Sequence, residues 1–180
     1  MTNRSKLVLG VTGSIAAYKA GDLIRGLQDD GWDVTVVMTR SATEFIGEIT
    51  LRTLSRNPVY VDIFEKRDEW KPEHIELAEE ADVILIAPCT ANMMAKITHG
   101  FADDVVSCTA LAAQSPVVIA PAMNEFMWTN PATQANVEVL RGRGVRILDM
   151  KTGELACGTD GVGKLGELDD IVSGVREFLR

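Results

Sequence analysis

Cysteine is scarce in this chain of 180 residues: Cys89, Cys108 and Cys157 are odd in number, widely separated and form no CxxC pair. Such usage argues against a disulfide framework, and with only His74 and His99 beside it gives no ligand set for a metal. Basic residues are also short, since 18 Lys and Arg against 26 Asp and Glu leave a net charge of −8. That sign argues against nucleic acid as the main partner, because phosphate backbones need a basic footprint. It leaves open a small phosphorylated ligand held by backbone amides. No apolar run approaches the length of a membrane span, and residues 1–6 carry no signal-peptide core of their own. The expectation is a cytoplasmic protein with no membrane partner. A further absence concerns the G-x-G-x-x-G fingerprint: the first strand leads to Gly10-x-x-Gly13 instead. The second strand ends in Met38-Thr39-Arg40, without the acidic residue that would take an adenosine ribose, which disfavours NAD. Arg40 leaves NADP open, but a mononucleotide fits better.

What is present reads as one domain over residues 1–180, with 46% hydrophobic and 24% charged residues, ordinary for a globular protein. Apolar runs at 6–11, 32–38, 82–87, 117–120 and 145–148 read as strands, with a short extended piece at 59–61. Helical patterns lie between them: through Ile24 and Leu27, over 41–57, from His74, over 91–98, 103–113 and 131–142, and over 169–179. Strands alternating with helices predict a doubly wound parallel sheet, Rossmann-like or flavodoxin-like, in three α/β/α layers. Residues 151–166 are rich in glycine and read as a substrate flap, since a long structureless segment in a compact domain is usually functional.

Several short stretches carry chemistry, each beside a plainer reading. Gly13-Ser14 opens the first helix, where Ser14 either caps the helix or meets an anion. Ala87-Pro88-Cys89-Thr90-Ala91-Asn92 repeats the arrangement after a later strand, with Thr90 as a natural N-cap. His74 begins a helix after a charged loop; it is either a surface residue or a neutral base held by the helix dipole. Pro121-Ala122-Met123-Asn124-Glu125-Phe126-Met127-Trp128 follows a buried strand, where an open α/β sheet places its ligands. It serves either as a lid packing its own core or as a ligand loop, with Phe126 and Trp128 expected in the core. Cys89 and Cys108 read as buried small hydrophobes. Cys157, in the glycine-rich flap, has no base beside it in sequence and would be protonated at neutral pH, which suits a proton donor.

In order along the chain, Thr12-Gly13-Ser14-Ile15-Ala16-Ala17-Tyr18-Lys19, His74-Ile75-x-Leu77, Ala87-Pro88-x-Thr90-Ala91-Asn92, Pro-x-Met-Asn-x-x-Met-Trp at 121–128 and Ala156-Cys157-Gly158 resemble the flavin-containing cysteine decarboxylases. The resemblance spans nearly the whole length, and the octapeptide is its most specific part. It implies FMN, with the phosphate at Gly13, Ser14, Ile15 and Thr39 and the flavin ring near Phe45, Thr90, Ala91, Asn92, Met93, Ser107 and Ala122. It further implies decarboxylation of 4'-phospho-N-pantothenoyl-L-cysteine to 4'-phosphopantetheine in coenzyme A biosynthesis. The cysteinyl carbon is oxidised to a thioaldehyde, CO2 leaves, and the enethiolate is reduced again. By the same resemblance His74, Asn124 and Cys157 are catalytic, Asn124 holds the substrate carboxylate, and Met127 packs against the substrate.

A homo-oligomer follows from the family too, a trimer or a dodecamer of four trimers, with the active site between subunits. A separate phosphopantothenate–cysteine ligase is the expected partner, unless the chain is one domain of a fusion with it. Peptidyl-cysteine oxidative decarboxylases share the histidine and the octapeptide but lack the flap cysteine, so Cys157 favours the reducing enzyme. The alternatives are that peptidyl-cysteine chemistry, a flavin-binding protein without turnover, and an NADP-dependent reductase using Arg40.

Overall fold

A computed structural model describes residues 4–63, 72–154 and 160–179. Six parallel strands form one sheet in the order β3-β2-β1-β4-β5-β6: β1 (Lys6–Val11), β2 (Asp33–Met38), β3 (Val59–Tyr60), β4 (Val83–Cys89), β5 (Val117–Pro121) and β6 (Arg146–Ile147). This is the Rossmann order, in which the order of strand addition reverses between β1 and β4 and leaves a crevice at their carboxyl ends.

The central strand β4 is buried at every position, and β1 and β5 at all but their first, because both sheet faces are covered. Leu7, Leu9 and Val11 of β1, with Val83, Leu85 and Ala87 of β4, enter one core with α1 (Ala20–Asp29), α2 (Glu48–Ser55) and α8 (Leu168–Val175). Val8, Ile84 and Ile86 face the other core, shared by α4 (Ala91–His99), α5 (Val105–Ala112) and α7 (Pro131–Gly142). There α3 (Glu73–Glu80) packs on α5. Two cores on opposite faces make the three expected layers.

The structure differs from the sequence reading at three places. Pro88 does not end its strand: β4 continues to Cys89, which pairs with Pro121 across a register shift after Ile86. Such an irregularity is where a strand tolerates a residue without an N–H. Within the octapeptide, α6 (Glu125–Trp128) forms one helical turn capped by Asn124. The flap segment contains an antiparallel hairpin, β7 (Lys151–Glu154) with β8 (Asp160–Lys164), separate from the main sheet. Its period is hard to read from sequence because glycines occupy facing positions, Gly153 opposite Gly161.

Candidate functional site

A cavity of about 540 Å³ opens at the carboxyl ends of β1, β4 and β5. Its lining comes from four places: the turn after β1 (Gly13, Ser14, Ile15), the head of α4 (Thr90, Ala91), the octapeptide (Ala122, Asn124, Met127) and the end of β8 (Gly163, Lys164).

The turn after β1 begins with Thr12, whose buried hydroxyl joins two strand ends. It donates to the Pro88 carbonyl at 2.7 Å and accepts from the Thr90 N–H at 3.1 Å. Ser14 caps a short 3-10 helix (Ile15–Lys19) that runs directly into α1, its Oγ accepting from the Ala16 N–H at 3.3 Å. Gly13 must lack a side chain here, because a Cβ would lie 2.7 Å from the Cβ of Ser41. That close approach brings the loop after β2 up to the turn. Thr39, in that loop, is nearly buried, and its hydroxyl meets Ser41 Oγ at 3.1 Å. It does not line the cavity.

Across the crevice, Thr90 caps α4, its Oγ1 accepting from the Met93 N–H at 3.3 Å. Met93 is buried in the core behind, while Asn92 is exposed on the helix surface. Ser107 is also buried; it forms a capping box with Asp104 at the start of α5 and faces no cavity space. Phe45 is 43% exposed and stands outside the lining.

The third wall is the octapeptide. Ala122 is buried, and its N–H donates to the Cys89 carbonyl at 3.1 Å, holding the loop to the end of β4. Asn124 Oδ1 accepts from the Phe126 N–H at 2.9 Å, which turns the oxygen of the amide toward α6. Met127 is half exposed at the cavity wall. Trp128 packs partly buried against the core, as expected, but Phe126 does not: it is 78% exposed. A single helical turn has only one inward side, and Trp128 occupies it.

The hairpin closes the fourth side. The Met123 N–H donates to the Gly163 carbonyl at 2.9 Å. Gly163 has φ +152°, and a Cβ there would overlap the Met123 oxygen. Gly161 is confined less strictly, by the flexible side chain of Glu125. Cys157 lies outside the described residues, in the segment that joins β7 to β8 in sequence.

His74 occupies the second position of α3. Helices of this fold run antiparallel to their strands, so the start of α3 lies at the same carboxyl end of the sheet. The histidine is half-buried, and its Nδ1 is buried without a hydrogen bond, yet it does not line the cavity of the single chain. His99 is the last residue of α4, ahead of Gly100 with φ +73°, at an ordinary glycine-capped helix end. Among the thiols, Cys89 is fully buried and burial pushes its pKa up. Cys108 is only half-buried, a departure from the expected burial, and burial with the nearby Asp104 and Asp103 charges raises its pKa. No group of His, Cys, Asp and Glu among the described residues is arranged to hold a metal. No described helix is long and apolar enough to cross a membrane.

The sequence reading covered Thr12, Tyr18, Lys19 and Met123 by its motifs and Gly163, Lys164 and Leu165 by its flap, but named none of them as a site residue; the structure puts Tyr18, Lys19, Met123, Gly163, Lys164 and Leu165 in the lining and Thr12 directly behind it. Thr12 could have been found from its place directly after a buried strand, where a side-chain hydroxyl meets free backbone groups. The hairpin residues carried no comparable signal, since their position depends on docking against a distant loop.

Comparison with known proteins places this geometry. The family model described as Flavoprotein matches residues 1–180. A relative from Streptococcus mutans, called a probable phosphopantothenoylcysteine decarboxylase, is 45% identical over 176 residues, 97% of this chain and 98% of the relative. The coenzyme A biosynthesis bifunctional protein CoaBC of Bacillus subtilis is 43% identical over 172 residues, covering 96% of this chain but 42% of that protein. Among solved structures, a cysteine-to-serine mutant of PPC decarboxylase complexed with pantothenoylaminoethenethiol superposes with a TM-score of 0.89 at 32% identity, over 98% of both chains. The FMN-dependent cysteine decarboxylase SpaF gives 0.84 at 34% identity, over 96% of this chain and 95% of its own.

Proposed function

The chain belongs to the Flavoprotein family, and on that premise we propose that it is an FMN-dependent carboxy-lyase converting 4'-phospho-N-pantothenoyl-L-cysteine to 4'-phosphopantetheine and CO2 in coenzyme A biosynthesis. The observation that carries this reading is that the Gly13–Ser14 turn, the head of α4 and the octapeptide meet in a single cavity. The names of the relatives with matching length and fold point to the same reaction.

The cavity suits FMN in its donors and its walls. Ser14 and the first N–H groups of the helical run behind it form an end with positive partial charge, suited to a phosphate. Ile15, Ala91, Ala122 and Leu165 offer apolar surface for a flat ring. FMN, when bound there, supplies a reversible two-electron acceptor, the chemistry a decarboxylation of a thiol substrate needs.

The residues of this chain do the positioning. Gly13, Ser14 and Ile15 hold the phosphate end, and Thr39, outside the lining, supports that turn only through Ser41, which packs on Gly13; Thr90, Ala91 and Ala122 face the ring, with the Met93 N–H fixing the Thr90 side chain from behind. Asn124, its oxygen held by α6, presents the amide nitrogen to the substrate carboxylate, and Met127 packs beside the substrate. His74, with an unsatisfied buried nitrogen, orients the substrate or moves a proton. Cys157 supplies the proton in the final reduction.

Phe45 and Asn92, accessible but outside the lining, and His74, apart from the cavity of its own chain, are accounted for by a site shared between copies. We place the chain in a homo-oligomer, a trimer or four trimers, for that reason. Ile15, Tyr18, Phe126 and Met127 support this, forming an apolar rim that is 56%, 60%, 78% and 49% exposed in the single chain. A separate phosphopantothenate–cysteine ligase would supply the substrate. The test is direct: purified flavin-loaded protein is given 4'-phosphopantothenoyl-L-cysteine, and CO2 and 4'-phosphopantetheine are measured. A flavin-loaded oligomer that releases no CO2 is a flavin-binding protein and not this enzyme.

A further inference from the structure

Among the described residues, the charged ones lining the cavity are Lys19 and Lys164, with no Asp or Glu, although the whole chain carries a net charge of −8. A cavity of the opposite sign to its protein selects anions. Lys19 belongs to the helical run that starts at Ser14, on the side already given to the cofactor. Lys164 comes from the other side, at the end of β8, next to the Gly163 carbonyl that holds Met123. Its side chain lies over the bare Gly153 of β7, with Cδ and Nζ each 4.0 Å from where a Cβ would stand there. Its ammonium has no carboxylate partner among the described residues. The hairpin's other cation is occupied: Lys151 pairs with Glu167.

We propose that Lys164 determines specificity by pairing with the phosphate monoester of the substrate; this rests on the function proposed above. The substrate has two anionic groups, and the reaction distinguishes them. The carboxylate loses its charge as CO2, so a full cation on it would stabilise the ground state against the transition state. The neutral amide of Asn124 avoids that cost. The phosphate is unchanged by the reaction, so a charge contact there stabilises ground and transition states alike and lowers KM without lowering kcat. A lysine with no carboxylate partner among the described residues, on a hairpin that docks beside the substrate loop, meets that need.

The experiment compares 4'-phosphopantothenoyl-L-cysteine with its unphosphorylated counterpart, pantothenoyl-L-cysteine, on wild type, Lys164→Gln and Lys164→Arg, each also read for bound flavin. Wild type should prefer the phosphorylated substrate. Lys164→Gln should raise KM for it by roughly three- to thirtyfold, the range for losing one charge-assisted contact at a partly exposed site. It should leave kcat within about twofold and KM for the unphosphorylated substrate unchanged, as expected for lost uniform binding. Lys164→Arg should keep the preference. An equal change in both KM values, or none, overturns the proposal. So does loss of flavin from Lys164→Gln alone, which would assign the charge to the cofactor phosphate. If wild type turns over neither compound, it is the function proposed above that fails.

Discussion

The Met123 N–H donates to the Gly163 carbonyl at 2.9 Å, and Gly163 can sit there only because it has no side chain. One backbone bond thus joins the loop that carries Asn124 to the hairpin whose connecting segment carries Cys157. A methyl group at Gly163 would overlap the Met123 oxygen and press the two apart. Gly163→Ala should therefore retain flavin, whose proposed phosphate end lies at the Gly13–Ser14 turn, while turnover falls about ten- to a hundredfold through misplaced substrate contacts. Flavin absorbance and CO2 release on the same preparation check this. Unchanged turnover would show that the hairpin does not shape the site.

Thr12 makes a different prediction, about stability. Its hydroxyl serves two buried backbone groups, the Pro88 carbonyl and the Thr90 N–H. Thr12→Val keeps the shape and removes both bonds, at a cost of about 1–3 kcal/mol for buried groups left unpaired. Thr12→Ser keeps the hydroxyl and should lose much less. Urea unfolding of the three proteins decides between them.

For His74, the prediction separates binding from chemistry. His74→Asn should bind FMN as wild type does and lose roughly 10²- to 10⁴-fold in CO2 release, the span of a lost proton-transfer group. Full activity in this variant would return His74 to an ordinary position at a helix start.

Cys157→Ser tests the last step alone. In air, where dioxygen reoxidises the reduced flavin, CO2 release should continue while an oxidised enethiol product accumulates in place of 4'-phosphopantetheine. Mass spectrometry of the products settles it, and a normal yield of 4'-phosphopantetheine would remove Cys157 from the mechanism.

A pH prediction follows from Cys89. Burial holds its thiol protonated in the folded protein, whereas in the unfolded chain it ionises with a pKa of about 8.5. Above that value the unfolded state binds fewer protons, so folding stability falls with rising pH, by up to about 1.4 kcal/mol per unit for one group. Below it this contribution to the slope vanishes. Denaturant titrations from pH 7 to 10 should show the decline, and Cys89→Ala should show less of it, with Cys108 contributing a smaller part in the same direction.

Much of this protein was legible in the sequence because the signals are local. The both-sided burial of Leu7, Leu9, Ile84 and Ile86 appears as unbroken apolar runs, and Ser14, Thr90 and Gly100 mark helix ends by their own chemistry. Those patterns determine a doubly wound parallel sheet and put Gly13, Thr90 and Ala122 at strand ends on one side of it. Tertiary structure alone decided what meets there. Thr12 reaches Pro88 across 76 positions, Gly163 finds Met123 from a hairpin with almost no hydrophobic period, and Phe126 is turned outward because Trp128 takes the inner side of a single turn. The same docking put Lys164 into the lining and left His74, Phe45 and Asn92 outside it. Such contacts depend on close packing between distant segments and a missing Cβ, and neither has a period that a chain displays along its length.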